Sequence, residues 1–325
     1  MPKQLKQPKQ PAPSDQSEKS EVPGRPAQPP RVALVLGGGG SRGIAHIGVL
    51  SVLEQASVPI DLIVGTSMGA IVGAMYGAGH DTQTMAEDIA RLSGLNLLNI
   101  NLFSQRARQQ RIRDELNRGL RGMTFTDLKI PLAVTAVDMK SGREIVLSEG
   151  NLVRALLASS AVPGVFPPVH IDDMELADGG VIDSVATHVA FSFNPQIVIA
   201  VDVYPPLDET NPWVDPLSAI MGMNIPLMSS TLPWATSPNP VTSLWRSVRV
   251  MTWHLHQERL KANPPHVLLR PPVGETGSLD FSDTQAPYFA GVQEAQQHLG
   301  EILALVDQLD QPDTDSNAGQ AKSSA

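Results

Sequence analysis

A serine in a tight glycine-flanked turn is the first residue of this sequence that could do chemistry. Ser67 lies in Gly65-Thr-Ser-Met-Gly69, a G-x-S-x-G pattern between an apolar run and a small-residue helical pattern. The two glycines relieve crowding where the chain reverses and leave the Ser67 Oγ exposed. The start of the following helix favours negative charge on that oxygen. The pattern predicts a nucleophile, with a purely structural turn as the alternative.

A glycine-rich loop, Gly37-Gly-Gly-Gly-Ser-Arg-Gly43, precedes this serine. It follows an apolar run and opens a helical pattern, so its backbone N–H groups can hold a phosphate or a transient oxyanion. Gly38, Gly40 and Gly43 match G-x-G-x-x-G, which alone is weak support for a dinucleotide site. That interpretation also needs an acidic residue at the end of the second strand, whereas Asp61 lies at its start.

The third turn, Asp178-Gly179-Gly180, supplies an acidic residue. By itself, Asp-Gly is common β-turn chemistry. A serine nucleophile needs a base, and a Ser–acid–His order allows Asp178 to act with one of five later histidines. These are His188, His254, His256, His266 and His298. None of them lies in a recognisable catalytic context, so the residues alone leave the base open.

The three motifs in this order, with Ala158-Ser-Ser-Ala-Val-Pro-Gly-Val-Phe-Pro-Pro168 before the last, resemble the patatin-like phospholipase family. The resemblance is closest to bacterial members with a single catalytic domain and covers about residues 31–205, continuing more weakly to the last helix. It implies a Ser67–Asp178 dyad without histidine and an oxyanion loop. The oxyanion donors are Gly38, Gly39 and Gly40, joined by the Met68 N–H from general elbow geometry. Supporting motif positions are Arg42, Gly43, Gly65, Gly69, Gly179 and Gly180. The run Val181–Ala186 departs from the Asn and Pro that many members have there.

The activity that the resemblance implies is that of a serine lipid acyl hydrolase. It would cleave fatty-acyl esters through an acyl-enzyme, with no metal and no cofactor. A soluble carboxylesterase or thioesterase with the same dyad is the alternative. A non-catalytic phosphate-binding regulatory protein is a third, and it leaves Ser67 and Asp178 unexplained. Arg42 either orients the loop or meets a phosphate headgroup, or it pairs with an internal carboxylate.

The elements that must position these residues alternate between apolar runs and helical patterns. The alternation predicts an α/β fold. The family resemblance further implies a patatin-like three-layer α/β/α fold with a mostly parallel central sheet and a nucleophile elbow between strand and helix. Strands are predicted at 32–36, 60–64, 132–138, 144–147, 169–171, 174–176, 196–203 and 267–270. Helices are predicted at 43–56, 68–78, 82–93, 106–120, 150–159 and 285–309.

The domain organisation predicted is one catalytic domain, residues 31–310, between two disordered tails. Residues 1–30 are polar and proline-rich, and residues 311–325 are polar, so neither can bury enough apolar surface to fold. Residues 205–253 form a Pro-, Met- and Trp-rich insertion or lid-like segment. The segment is either an interfacial or acyl-chain-covering element or an ordinary core or subunit contact.

Composition limits the partners. The 325 residues include no cysteine, which excludes disulfides, thiolate metal sites and cysteine nucleophiles. The net charge of −9 argues against nucleic acid as a partner. A basic run between residues 104 and 122 either touches anionic headgroups or is a solvated helix face. No apolar run reaches the length of a membrane span. We expect a cytoplasmic protein that acts on a lipid or acyl-ester substrate. Peripheral contact with the inner membrane face and the formation of a homo-oligomer are both left open.

Overall fold

A computed structural model describes residues 28–94, 105–120, 122–207, 240–274 and 281–309, together with residues 209 and 276. Its strands are β1 Val32–Leu36, β2 Leu62–Thr66, β3 Leu132–Asp138, β4 Glu144–Leu147, β5 Val169–Ile171, β6 Met174–Asp178, β7 Ile197–Val201 and β8 Val267–Leu269. Its helices are α1 Ala45–Gln55, α2 Met68–Gly77, α3 Thr82–Gly94, α4 Gln105–Leu120, α5 Leu152–Ser159, α6 Thr187–Ser192, α7 Pro240–Ala262 and α8 Gln285–Leu309.

The strands form one mixed sheet in which β5–β6–β3–β2–β1–β7–β8 are successively hydrogen-bonded and β4 pairs with β3. The pairs β2–β3, β1–β2, β1–β7 and β7–β8 are parallel. The pairs that β3 makes with β4 and β6, and the β5–β6 hairpin, are antiparallel. The predicted α/β sheet is therefore confirmed, with an antiparallel portion beyond β3.

Helices cover both faces of the sheet, because successive side chains of a strand point to opposite sides. In β1, Val32, Leu34 and Leu36 pack into a core with α1, α2, α5 and α8. Ala33 and Val35 point the other way, into a second core that includes Val189 of α6 and Leu260 of α7. All five β1 residues are buried. A continuous apolar strand of this kind is typical of a parallel sheet between two helical layers.

The longest helix, α8, packs directly on α1 through two glycines. A Cβ at Gly48 would lie 2.1 Å from the Tyr288 carbonyl oxygen, and one at Gly291 would lie 2.0 Å from the Ala45 carbonyl oxygen. The two backbones are therefore close enough that neither position accommodates a side chain. This contact fixes α1, whose N-terminal end follows the glycine loop.

Most predicted elements are present within a few residues of their expected bounds. The second strand is shifted from 60–64 to Leu62–Thr66. Asp61 precedes the strand, and its carboxylate accepts the N–H groups of Arg31 and Val32 at 2.9 Å each. Two helices were not predicted: α6, which has only six residues, and α7, which occupies the end of the segment interpreted as an insertion.

Several sequence-based expectations fall outside the described residues. These are the disordered tails apart from residues 28–30, and nearly all of 205–239. No helix within the described ranges is long and apolar enough to cross a membrane.

Candidate active site

Ser67 occupies a strained turn between β2 and α2. Its backbone has φ 55° and ψ −120°, which residues with a side chain rarely adopt. The flanking glycines make the turn possible, because a Cβ at Gly65 would lie 2.5 Å from Ala70 Cα and one at Gly69 2.1 Å from the Leu36 carbonyl oxygen. The predicted elbow is therefore present, and a turn held at this cost is typical of functional sites.

Asp178 reaches Ser67 because two strands end at neighbouring residues of β3. Parallel β2 ends with Thr66 opposite Thr135, and antiparallel β6 ends with Asp178 opposite Ala136. Thr135 and Ala136 both pair with β4 on one edge of β3, so β2 and β6 share the other edge and approach each other end to end. The residues at their ends are thereby brought together across 111 positions of sequence.

The Ser67 Oγ donates a hydrogen bond of 2.7 Å to Asp178 Oδ2. The other carboxylate oxygen, Oδ1, accepts the Gly180 N–H at 2.8 Å. Gly179 must lack a side chain, since a Cβ would lie 2.6 Å from Thr135 Oγ1. Asp178 is only 6% exposed, and burial raises its pKa to about 6 despite the opposing hydrogen bonds from Ser67 and Gly180. A carboxylate of this basicity accepts a proton more readily than an ordinary Asp.

Ser159 is a site residue that the sequence reasoning did not single out. Its buried Oγ accepts the Ser67 N–H at 2.8 Å and so holds the backbone of the elbow. Two residues later, the Ala161 carbonyl accepts the Asp178 N–H at 3.1 Å. One short segment therefore holds the backbones of both dyad residues. It lies in the Ala158–Pro168 run that carried part of the family resemblance, which was the available signal.

The glycine loop lies against Ser67, since a Cβ at Gly38 would be 3.4 Å from the Ser67 Cβ. Gly37 N–H donates to the Val201 carbonyl at 3.0 Å, and Gly38 N–H donates to the Ser184 carbonyl at 2.9 Å. The prediction that Gly38 supplies an oxyanion donor therefore needs correction, because its N–H is already used to hold the loop. The remaining predicted donors are Gly39, Gly40 and Met68.

His46 of α1 forms a hydrogen bond with this loop. Its Nε2 lies 2.7 Å from the Gly37 carbonyl oxygen, and the ring is fully buried on α1. Burial lowers the pKa of His46 to about 4, so the ring is neutral and its Nε2–H donates to that carbonyl. Gly43 is required nearby, because a Cβ there would lie 2.4 Å from Met68 Cγ. The loop is thus packed onto the first turn of α2.

Arg42, which belongs to the same loop, is buried and only 7% exposed. Burial first and the charge of Arg249 second lower its pKa to about 10, against the smaller opposing effect of Tyr204. Arg249 itself donates to the Tyr204 hydroxyl at 2.9 Å and stacks over its ring. These neighbours connect the glycine loop to α7.

The histidines offered as partners of Asp178 lie elsewhere. His188 contacts Glu144 and Asp183, His256 contacts Asp202, and His298 lies against Glu294. His266 Nδ1 accepts the Val198 N–H at 2.9 Å, and His254 packs edge-on against Trp253. No histidine hydrogen bond to Ser67 or Asp178 occurs in the described ranges. The geometry therefore joins the serine to the carboxylate directly.

One group of potential metal ligands occurs among the described residues, formed by Glu144, Asp183 and His188. Both ring nitrogens of His188 contact a carboxylate, and Arg259 Nη1 lies 3.3 Å from Glu144 Oε2 and 3.4 Å from Asp183 Oδ2. Two carboxylates here face two basic side chains, so we interpret the group as an ion-pair network.

Comparison with known proteins finds one family model that matches part of the chain. Residues 34–191 match the family model described as patatin-like phospholipase. "Lysophospholipase nte1" of Neurospora crassa is 30% identical over 296 residues, which are 86% of this chain and 19% of that protein. "Lysophospholipase nte1" of Emericella nidulans is 28% identical over 284 residues, 83% of this chain and 18% of that protein. The chain thus spans about a fifth of the length of these relatives.

Two solved structures are similar at low score. VipD from Legionella pneumophila has a TM-score of 0.36 and 12% identity over 88% of this chain and 76% of that one. ExoU, in its complex with SpcU from Pseudomonas aeruginosa, has a TM-score of 0.33 and 17% identity over 87% of this chain and 60% of that one.

Proposed function

Because this chain carries a patatin-like phospholipase domain over residues 34–191, we propose that it is a serine lipid acyl hydrolase. The observation that carries the proposal is the 2.7 Å hydrogen bond from Ser67 Oγ to a buried carboxylate, made from a strained elbow. A structural turn has no need of a positive φ at the serine together with a buried acidic acceptor. A phosphate-binding protein would leave both features unused.

The mechanism begins with proton transfer from Ser67 Oγ to Asp178 as the oxygen attacks the ester carbonyl carbon. The tetrahedral intermediate collapses, the leaving alkoxide takes the proton from Asp178, and the acyl group remains on Ser67. Water then gives its proton to Asp178 and attacks the acyl-enzyme. The fatty acid leaves, and Ser67 Oγ recovers the proton.

The oxyanion of each intermediate is stabilised by backbone donors. We assign this role to the N–H groups of Gly39 and Gly40 in the glycine loop and of Met68 in the first turn of α2. Gly40 has φ 61°, a conformation that suits glycine. The N-terminal end of α2 adds positive potential where the negative charge develops.

The substrate class we propose is a glycerophospholipid or lysophospholipid. This rests on the family and on relatives named lysophospholipase, which are 28–30% identical across most of this chain. The alternative is a soluble carboxylesterase or thioesterase with the same dyad. The two differ in whether a lipid aggregate is a better substrate than a dissolved short-chain ester.

The experiment compares wild type with Ser67→Ala on a short-chain p-nitrophenyl ester and on a micellar lysophospholipid. We expect the variant to lose activity on both by about 10⁴-fold or more, because the nucleophile is absent. Ser57→Ala is the matched control, since Ser57 has the same φ of 55° on the exposed surface. A fluorophosphonate should label wild type and Ser57→Ala but not Ser67→Ala.

The outcome separates the hypotheses. Activity of Ser67→Ala equal to wild type on both substrates contradicts the dyad. Ser67-dependent activity that is confined to the dissolved ester favours the carboxylesterase.

A further inference from the structure

An apolar stripe runs along the exposed side of α7. Leu244, Val248, Met251 and Leu255 are 67%, 37%, 62% and 40% exposed. Their spacing of four, three and four residues places them within about 60° of one another around the helix. Seven large hydrophobic side chains are exposed in the described ranges, and four of them lie on this stripe. Such an array on one helix marks an interaction surface.

The helix that carries the stripe is joined to the glycine loop through the end of β7. Asp202 and Tyr204, which follow β7, hold α7 through His256 at 3.1 Å and Thr252 at 2.8 Å. The same end of β7 holds the glycine loop, through the Gly37 N–H bond to Val201. A Cβ at Gly39 would lie 2.6 Å from Val203 Cγ2, so the loop and this segment are in contact. The helix that carries the stripe is therefore linked to the loop that lies against Ser67.

The part of α7 that carries the stripe is basic in composition. Residues 240–257 contain Arg246 and Arg249 and no acidic residue, in a chain of net charge −9. Two tryptophans, Trp245 and Trp253, are half-buried on the same helix. Basic residues, tryptophan and an exposed apolar stripe on one helix are typical of helices that lie in a membrane interface. A second copy of the chain would bring like charges together across the contact, which disfavours self-association.

We propose that this stripe docks α7 onto an anionic lipid surface, with the side chains of Leu244, Val248, Met251 and Leu255 inserted among the acyl chains. The proposal deepens the proposed function and rests on it, because the surface supplies the substrate to a site next to the helix. The basic composition of residues 240–257 contributes attraction to the headgroups.

The test uses the absence of cysteine from the chain. Met251→Cys is labelled with a polarity-sensitive dye, and Phe289→Cys is the matched control, since Phe289 is 61% exposed on α8. Vesicles of ether-linked phosphatidylglycerol, which an acyl hydrolase cannot cleave, are compared with ether-linked phosphatidylcholine. We expect a blue shift of the dye at position 251 with the anionic vesicles, weakened by salt, and none at 289.

A second variant pair tests the energetics. Leu244→Asp/Met251→Asp should bind the anionic vesicles at least about tenfold more weakly than wild type, since two largely exposed apolar side chains would no longer be buried in lipid. Phe289→Asp should bind like wild type. All three should hydrolyse the dissolved p-nitrophenyl ester equally, since these side chains are outside the dyad and the oxyanion loop.

The outcomes are distinct. Equal responses at 251 and 289, or no response at either, overturn the proposal. Loss of thermal stability or a change of oligomeric state in Leu244→Asp/Met251→Asp, with vesicle binding unchanged, also overturns it, in favour of a contact within the chain or with a second copy. A 251-specific response in a protein without esterase activity contradicts the proposed function and leaves the lipid surface supported.

Discussion

As the proposed general base, Asp178 has to meet two opposing requirements, because such a base must be accessible to the reaction and must also be more basic than an ordinary carboxylate. Burial meets the second demand by raising its pKa to about 6. The hydrogen bonds from Ser67 and Gly180 keep the anion available above that pH. In the proposed mechanism, burial therefore gives this carboxylate the basicity that an imidazole supplies elsewhere.

The activity should follow the ionisation of Asp178. Only the carboxylate accepts the Ser67 proton, so kcat/KM for a dissolved ester should rise with pH through about 6 and level off above it. The measurement is a pH–rate profile between pH 4 and 8.5 at constant ionic strength. An acid limb centred near pH 4 would show that burial does not tune this base.

Asp178 also costs stability at neutral pH. The folded pKa of about 6 exceeds the ordinary value of 3.8, so the folded state holds a proton that the unfolded state releases, and stability falls between these two pH values. Asp178→Asn removes the charge. Its free energy of unfolding relative to wild type should therefore increase by up to about 3 kcal/mol from pH 4 to pH 7.5.

Chemical denaturation at the two pH values provides the measurement, with Asp172→Asn as the control. Asp172 is exposed on the β5–β6 turn, so its replacement should give the same difference from wild type at both pH values. A pH-independent effect of Asp178→Asn would contradict the assigned shift.

At the scale of elements, the site depends on helices that approach closer than side chains allow. The α1–α8 contact fixes the helix that carries His46 and follows the glycine loop. The responsible residues are small, and their spacing in sequence gives no indication of which helix they contact. The same substitution at two positions of α8 should therefore have opposite effects.

Gly291→Ala should lower the free energy of unfolding by about 3 kcal/mol, since its Cβ would lie 2.0 Å from the Ala45 carbonyl oxygen. Gly300→Ala should raise it by about 1 kcal/mol, since nothing lies within 4 Å of that Cβ and alanine favours helix. Urea unfolding of both variants measures the pair. Equal effects at the two positions would rule out the close helix contact.

At the scale of the whole molecule, the network of Glu144, Asp183, His188 and Arg259 joins β4, α7 and the segment around α6. Burial alone would lower the pKa of His188, but its hydrogen bonds to Asp183 and Glu144 together outweigh burial and raise that pKa to about 9. The network ties α7, and with it the apolar stripe, to the sheet.

This network should make stability depend on pH. The raised pKa of His188 contributes stability that is fully present below about pH 6.5 and is lost as the pH rises through about 9. The difference in unfolding free energy between wild type and His188→Gln should therefore shrink from pH 6 to pH 9.5. His254→Gln, on the exposed surface of α7, should show no such trend. A constant difference for His188→Gln would show that the imidazolium does not stabilise the fold.

The sequence by itself determined the local features, because these depend on residues close together in the chain. The glycines at positions 65 and 69 predict an elbow at Ser67, because a tight turn there leaves no room for side chains on either side of the serine. The apolar runs predicted all eight strands of the described ranges, and for β3 and β4 the bounds agree with the expectation. The family resemblance paired Ser67 with Asp178, a pairing that the residues alone left open among five histidines.

Only the tertiary structure decided the contacts between distant segments. The meeting of β2 and β6 on β3, the Ser159 hydrogen bond to Ser67, and the use of the Gly38 N–H by Ser184 each join residues far apart in sequence. The helix α7 was missed because apolar residues lie on its exposed side, so its sequence lacks the usual separation of a buried apolar face from an exposed polar face. The exposure of its stripe is also decided by the fold, because the other side of the helix is the one that packs on the sheet.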